Sequence, residues 1–138
     1  MIAIAAILML SLQSGAGDTW RESAAEQGTV LSFGEAANAT IRLTCIRPGV
    51  IRADLSGLYT GEGREPRSVV AESGRIRASY RLAYNDGFTV EIPARAAVMQ
   101  AFGRNARVRF RAAGVELTGD GTPAESPTVA GFLARCRT

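Results

Sequence analysis

Cys45 and Cys136 are the two cysteines of the chain, and they stand 91 positions apart. A metal site or a thiol-redox site wants its cysteines close together, commonly two residues apart. A pair this distant reads as one structural disulfide in an exported protein, where oxidation is permitted. The competing reading is a redox-active pair, which the spacing disfavours. Such a bridge closes a loop of about 90 residues, worth on the order of 4–5 kcal/mol in the chain-entropy account. A small domain has a total stability of only about 5–15 kcal/mol. A fold for this chain therefore has to bring position 45 against position 136.

Export is read from the other end. Residues 2–12 run Ile-Ala-Ile-Ala-Ala-Ile-Leu-Met-Leu-Ser-Leu without a charge. A membrane-spanning helix needs roughly 20 apolar residues, and this run is about half of that. It has the length of a secretory leader's apolar region. Ser14-Gly15-Ala16 follows, with small residues where a signal peptidase reads. Residues 1–16 are thus expected to be a signal peptide cleaved after Ala16. Residues 17–138 then form a single disulfide-stapled domain, periplasmic or secreted, with no integral membrane span after cleavage. The leader lacks a basic residue ahead of its apolar run. A buried N-terminal strand or helix is the competing reading.

Period-two alternation dominates the remainder, the mark of strands with one buried face. A first strand is expected over 30–34. Ile41, Leu43 and Cys45 share a face opposite Arg42 and Thr44. Pro48-Gly49 turns the chain, and Ile51, Ala53 and Leu55 return, so residues 40–55 read as a hairpin. Val69 and Val70 begin another apolar stretch that breaks at Ser73-Gly74. The longest series places Ile76, Ala78, Tyr80, Leu82 and Tyr84 inward, against Arg75, Arg77, Ser79 and Arg81. Asn85-Asp86-Gly87 marks a tight turn, after which Phe88, Val90 and Ile92 return.

Beyond Pro93 the pattern changes. An alanine-rich helix is expected over 94–102, bracketed by Pro93 and Gly103, with Val98, Ala101 and Phe102 buried. Val108 and Phe110 alternate with Arg107, Arg109 and Arg111, and Val115 and Leu117 return after Ala113-Gly114. Residues 119–126 read as a loop. Ser126 is expected to cap a last helix, with Pro127 in its first turn. Val129, Phe132, Leu133 and Cys136 lie on one face of that helix. Cys136 is then on its buried side, where it can reach Cys45 on its strand. The expected class is α+β: a mostly antiparallel sheet of about eight short strands, arranged as a sandwich or half-barrel. A C-terminal helix-hairpin-helix module follows.

The residue types present restrict the chemistry. The chain has no histidine and no lysine, and all 16 of its basic residues are arginine. Histidine triads, lysine Schiff bases and P-loops are excluded. The glycines Gly57, Gly61 and Gly63 follow no phosphate-binding spacing, and no Gly-x-Ser-x-Gly elbow occurs. Glu62 and Glu65 are the one carboxylate pair in a glycine-rich loop, a weak candidate for hydrolysis. A solvated loop with Arg64 and Arg67 as counterions is the simpler account. No metal site, cofactor or catalytic residue is expected, and the chain is not expected to be an enzyme.

The arginines form the least random feature. Arg42, Arg52, Arg75, Arg77, Arg81, Arg107, Arg109 and Arg111 fall on the outward positions of the expected strands, with only Asp54, Glu91 and Glu116 interleaved. The whole chain carries only +3. Guanidinium groups pair with carboxylate and phosphate in bidentate fashion. Arg75, Arg77, Arg81, Arg107, Arg109 and Arg111 are therefore a candidate anion-binding face. The simpler alternative is a solvated face with cross-strand pairs such as Arg111 with Glu116. Nucleic acid is not an expected partner, because Tyr80, Phe88 and Phe110 alternate inward, away from the arginines.

The order of features resembles a group of small secreted proteobacterial proteins of unknown function. The matching residues are Trp20, Leu31-Ser32-Phe33-Gly34, Ile41-Arg42-Leu43-Thr44-Cys45 and the segment 94–136, which ends Phe132-Leu133-Ala134-Arg135-Cys136. The tryptophan and terminal cysteine are also similar to those of invasion-associated locus B-type periplasmic proteins. The resemblance implies a periplasmic or envelope-associated domain without catalysis. Its partner would be an envelope protein or an anionic envelope component.

Overall fold

The computed structural model describes residues 18–26, 28–34, 39–58, 66–84 and 87–138. The expected leader, Glu62, Glu65 and the Asn85-Asp86 turn lie outside the described residues. Ten strands and two α-helices are present among the described residues, and the class is α+β. The strands are β1 (Trp20–Ala25), β2 (Gly28–Phe33), β3 (Ile41–Arg47), β4 (Val50–Asp54), β5 (Ser68–Ser73), β6 (Ile76–Arg81), β7 (Ala83–Tyr84), β8 (Phe88–Pro93), β9 (Arg107–Ala112) and β10 (Val115–Asp120). The helices are α1 (Ala97–Asn105) and α2 (Ser126–Arg137).

All described strand pairs are antiparallel, and they form two open sheets. The larger sheet runs β1-β2-β3-β4-β8-β7 and the smaller runs β10-β9-β5-β6. One hydrophobic cluster draws on both sheets and both helices. Leu31, Ile41, Leu43 and Ile51 enter from the larger sheet, Val69 and Phe110 from the smaller, and Phe102, Phe132 and Leu133 from the helices. Each such side chain contributes roughly 1.5–3 kcal/mol by leaving water. The helix-hairpin-helix order of α1, β9–β10 and α2 is present as expected.

Three departures from the sequence reading have physical causes. Strand β1 carries no strand signature in the sequence. Only Trp20 of its six residues is buried, so it shows no alternation, and its pairing with β2 makes it a strand. The series over 76–84 is two strands, not one. It breaks at Leu82, whose N–H donates to the Arg67 carbonyl, and the chain passes from the smaller sheet to the larger. Both pieces are edge strands, so Ile76 and Tyr84 are 39% and 56% exposed instead of inward. Finally, α1 begins three residues later than expected and continues through Gly103. A side chain there would press Leu133 of α2, so glycine is what lets the helices approach. The helix ends at Ala106, which adopts the left-handed conformation (φ 60°) and donates its N–H to the Phe102 carbonyl.

Trp20 plugs the seam between the sheets. Its ring stands 5.0 Å from that of Phe33 and 4.8 Å from that of Phe102, centre to centre. Its indole N–H donates to the Ala106 carbonyl at 2.8 Å. Gly119 and Gly121 make room for it: a Cβ there would fall 2.3 and 2.6 Å from indole carbons.

Cys45 and Cys136 form the disulfide, with their Cα atoms 5.6 Å apart. It joins β3 of the larger sheet to the last turn of α2. The Gly49 N–H, in the turn after β3, donates to the Cys136 carbonyl beside it. The double variant Cys45→Ser/Cys136→Ser is expected to lose about 4 kcal/mol of unfolding free energy in urea, the loop-closure entropy of the bridge. An unchanged transition midpoint would show that the bridge carries no stability.

Candidate functional site

The arginine face divides into two parts once the register is known. In β9, Val108 and Phe110 point into the core, so Arg107, Arg109 and Arg111 point outward. Strand β10 places Asp120 opposite Arg107 and Glu116 opposite Arg111. On the other side, β5 places Glu72 opposite Arg109. The result is a ladder of ion pairs across three strands. Arg107 Nε lies 2.9 Å from Asp120 Oδ1. Arg109 reaches Glu72 Oε1 at 3.5 Å and Glu116 Oε1 at 3.3 Å. Arg111 reaches Glu72 Oε2 and Glu116 Oε2, both at 3.5 Å. Three guanidinium groups are met by three carboxylates. Exposed pairs of this kind are worth about 0.2–1 kcal/mol each, so they neutralise the face more than they stabilise it.

Two of those carboxylates fall outside the interleaved positions that alternation alone identifies. Asp120, expected in the loop 119–126, is the last residue of β10. Glu72 lies on β5, next to its break at Ser73-Gly74. A signal for Glu72 was available: across the two-residue turn Gly74-Arg75 it pairs with Arg77, so it shares the face of the outward arginines.

The second part is β6. Arg77 and Arg81 stand on its outward positions and Arg75 in the turn before it, and all three are exposed. Among the described residues none of the three makes an ion pair. Exposed Arg67, just before β5, is in the same condition. Glu72 sits between the two groups in the row Arg77–Glu72–Arg109, and its carboxylate is taken by Arg109 and Arg111. The sheet therefore grades from a neutral ladder to a cationic edge.

Arg42 and Arg52 are separate, on the outer face of the larger sheet. They line a shallow groove of about 320 Å³ with Thr44, Asp54 and Glu26, and Arg52 Nε lies 3.6 Å from Asp54 Oδ2. A second cleft, of about 260 Å³, lies over Ser73, Gly74, Asn105 and Arg107. Ser73 and Asn105 in it are engaged internally. Ser73 Oγ is 2.7 Å from the Arg107 carbonyl, and Asn105 Oδ1 accepts the Arg107 N–H at 2.8 Å. Among the described residues no three Cys, Asp or Glu side chains converge as a metal site would require. No described helix is long and apolar enough to cross a membrane.

Ser126, expected as the cap of α2, instead binds the Arg104 carbonyl at 3.0 Å. The turn entering α2 is closed by Glu125, whose carboxylate accepts from the Thr122 N–H and hydroxyl, both at 2.9 Å, and from the Trp20 N–H at 2.6 Å. Burial pushes the Glu125 carboxyl up, but these hydrogen bonds outweigh it and hold its pKa below the ordinary 4.5. On the inner side of β6, burial raises the Tyr80 phenol above its ordinary value.

No protein-family model, curated protein or solved structure matches the chain.

A carboxyl with a depressed folded pKa adds stability above its unfolded pKa, and that stability is lost as pH falls through the folded value. Glu125→Gln is therefore expected to flatten the decline in stability below about pH 4.5, the ordinary value. Urea unfolding at a series of acid pH values measures it. The same slope in variant and wild type would contradict the assignment.

Proposed function

We propose that this chain is an exported, disulfide-stapled binding domain without catalysis, which holds an acidic envelope protein against the cationic edge of its smaller sheet. The observation that carries the proposal is the contrast within one face. Arg107, Arg109 and Arg111 are matched by carboxylates, whereas Arg75, Arg77 and Arg81 have no ion pair among the described residues. Unpaired charge concentrated at one edge keeps that edge from pairing with a copy of itself and leaves it open to an acidic partner. Guanidinium groups that are not already engaged remain available for a partner's carboxylates.

Several features support the remainder of the proposal. The disulfide fits an oxidising compartment. The apolar run at 2–12, with small residues at Ser14 and Ala16, supports export through a cleaved leader. Absence of histidine and lysine from the whole chain supports binding over catalysis. Resemblance to small secreted proteobacterial proteins points the same way.

Two variants of equal charge change provide the test: Arg75→Gln/Arg77→Gln/Arg81→Gln and Arg107→Gln/Arg109→Gln/Arg111→Gln. Binding to poly-L-glutamate and to phosphatidylglycerol vesicles is measured for each, with thermal unfolding as the control for folding. The first variant is expected to bind polyglutamate about tenfold more weakly, or about 1.4 kcal/mol, and the second to stay within about threefold of wild type. Equal losses would mean that net charge alone attracts the anion and would overturn the proposal. Binding to vesicles but not to polyglutamate would replace the protein partner with a lipid surface.

A further inference from the structure

Strand β6 closes the smaller sheet, and among the described residues it pairs with β5 alone. Its register fixes which backbone groups face outward. The turn between β5 and β6 has two residues, Gly74 and Arg75, with Gly74 in the left-handed region (φ 61°). The pair closing such a turn exchanges both hydrogen bonds, and the pairs then alternate. The closing pair is Ser73–Ile76. Ile76, Ala78 and Tyr80 therefore direct their N–H and C=O groups toward β5. Arg77, Ser79 and Arg81 direct theirs away from the sheet, along its edge.

Side chains alternate on the same strand. Arg77, Ser79 and Arg81 stand on the outer face, and Ile76, Ala78 and Tyr80 on the inner. Ile76 is 39% exposed, and Ala78 and Tyr80 are half-buried, so the inner face of this strand is incompletely covered. One strand thus presents a row of outward backbone groups, a cationic row on one face and an apolar row on the other.

We infer that β6 receives an extended acidic segment of the partner protein by strand addition. The occupant would carry carboxylates at alternate positions, facing Arg77 and Arg81, and small or apolar residues between them, facing Ile76, Ala78 and Tyr80. Backbone hydrogen bonds supply affinity in this mode, and the alternating side chains supply selectivity. Charge decides against a second copy of the chain. Antiparallel pairing of two β6 strands about Ser79 sets Arg77 of each against Arg81 of the other, and like charges directly opposite are destabilising. The edge repels itself and accepts an acidic strand.

This inference rests on the proposed binding role, and the experiment separates the two. A fluorescent hexapeptide of alternating Glu and Val is titrated by anisotropy, beside a peptide of equal composition with three Glu followed by three Val. The alternating peptide is expected to bind about tenfold more tightly. Ser79→Pro deletes one outward N–H, leaves every arginine in place and sits where an edge strand tolerates proline. It is expected to remove most of that preference. A second arm avoids any folding defect: N-methylation of the alternating peptide on the edge-facing nitrogens abolishes its advantage, while methylation on the opposite set preserves it. Equal binding of both peptides, unmoved by N-methylation, overturns strand addition and leaves charge recognition standing. Unchanged binding by the Arg75→Gln/Arg77→Gln/Arg81→Gln variant overturns both. Dimerisation without peptide would make a second copy the occupant and overturn the inference.

Discussion

The bond between Cys45 and Cys136 is the constraint on which the arrangement of the molecule depends. It fastens the last turn of α2 to β3, deep in the row of the larger sheet. From there, contacts lead outward in sequence. Helix α2 packs on α1 across Gly103, and α1 packs on β5 and β6 of the smaller sheet. The covalent link therefore holds together two halves that share no strand pairing among the described residues. Trp20 does the same noncovalently from the other end of the domain. It stands in β1 and fills the space left by Gly119 and Gly121 beside β10. A small domain with one covalent tie and one large aromatic plug can leave its sheet edges open without losing its core.

That openness gives the arginines their different roles. On the central strand β9, Arg109 and Arg111 have carboxylates on both sides and Arg107 on one, because the antiparallel register places Glu72, Glu116 and Asp120 there. On the edge strand β6 the described residues supply one neighbouring strand, and Glu72, opposite Arg77, is already shared by Arg109 and Arg111. The surplus of positive charge on the face is thus a property of position. It accumulates at the edge, where the backbone is also unpaired among the described residues.

Much of the fold was legible in the sequence because burial writes a period into it. The hairpin over 40–55, the alternation of Val108 and Phe110, and the stripe Val129, Phe132, Leu133 and Cys136 each follow from one buried face. The disulfide was expected from two isolated cysteines and from reading residues 2–12 as a leader. What escaped was set by tertiary contact. Strand β1 exposes five of its six residues, so no pattern betrays it. Gly103 looked like a helix stop and is a helix contact instead. The break at Leu82 depends on the Arg67 carbonyl, a partner distant in sequence. Likewise, the arginines were visible as a count of outward positions. Their division into paired and unpaired groups needed the cross-strand register that brings Glu72 and Asp120 into reach.

The proposed recognition at the β6 edge, sparing the paired ladder beside it, is tested by the change in backbone amide NMR shifts as an alternating Glu-Val peptide is added to the disulfide-bonded protein. The largest changes are expected at Arg77, Ser79 and Arg81, with the amides of Arg107, Arg109 and Arg111 nearly unmoved. Largest changes at Arg107, Arg109 and Arg111, or small changes spread over all the arginines, would contradict it.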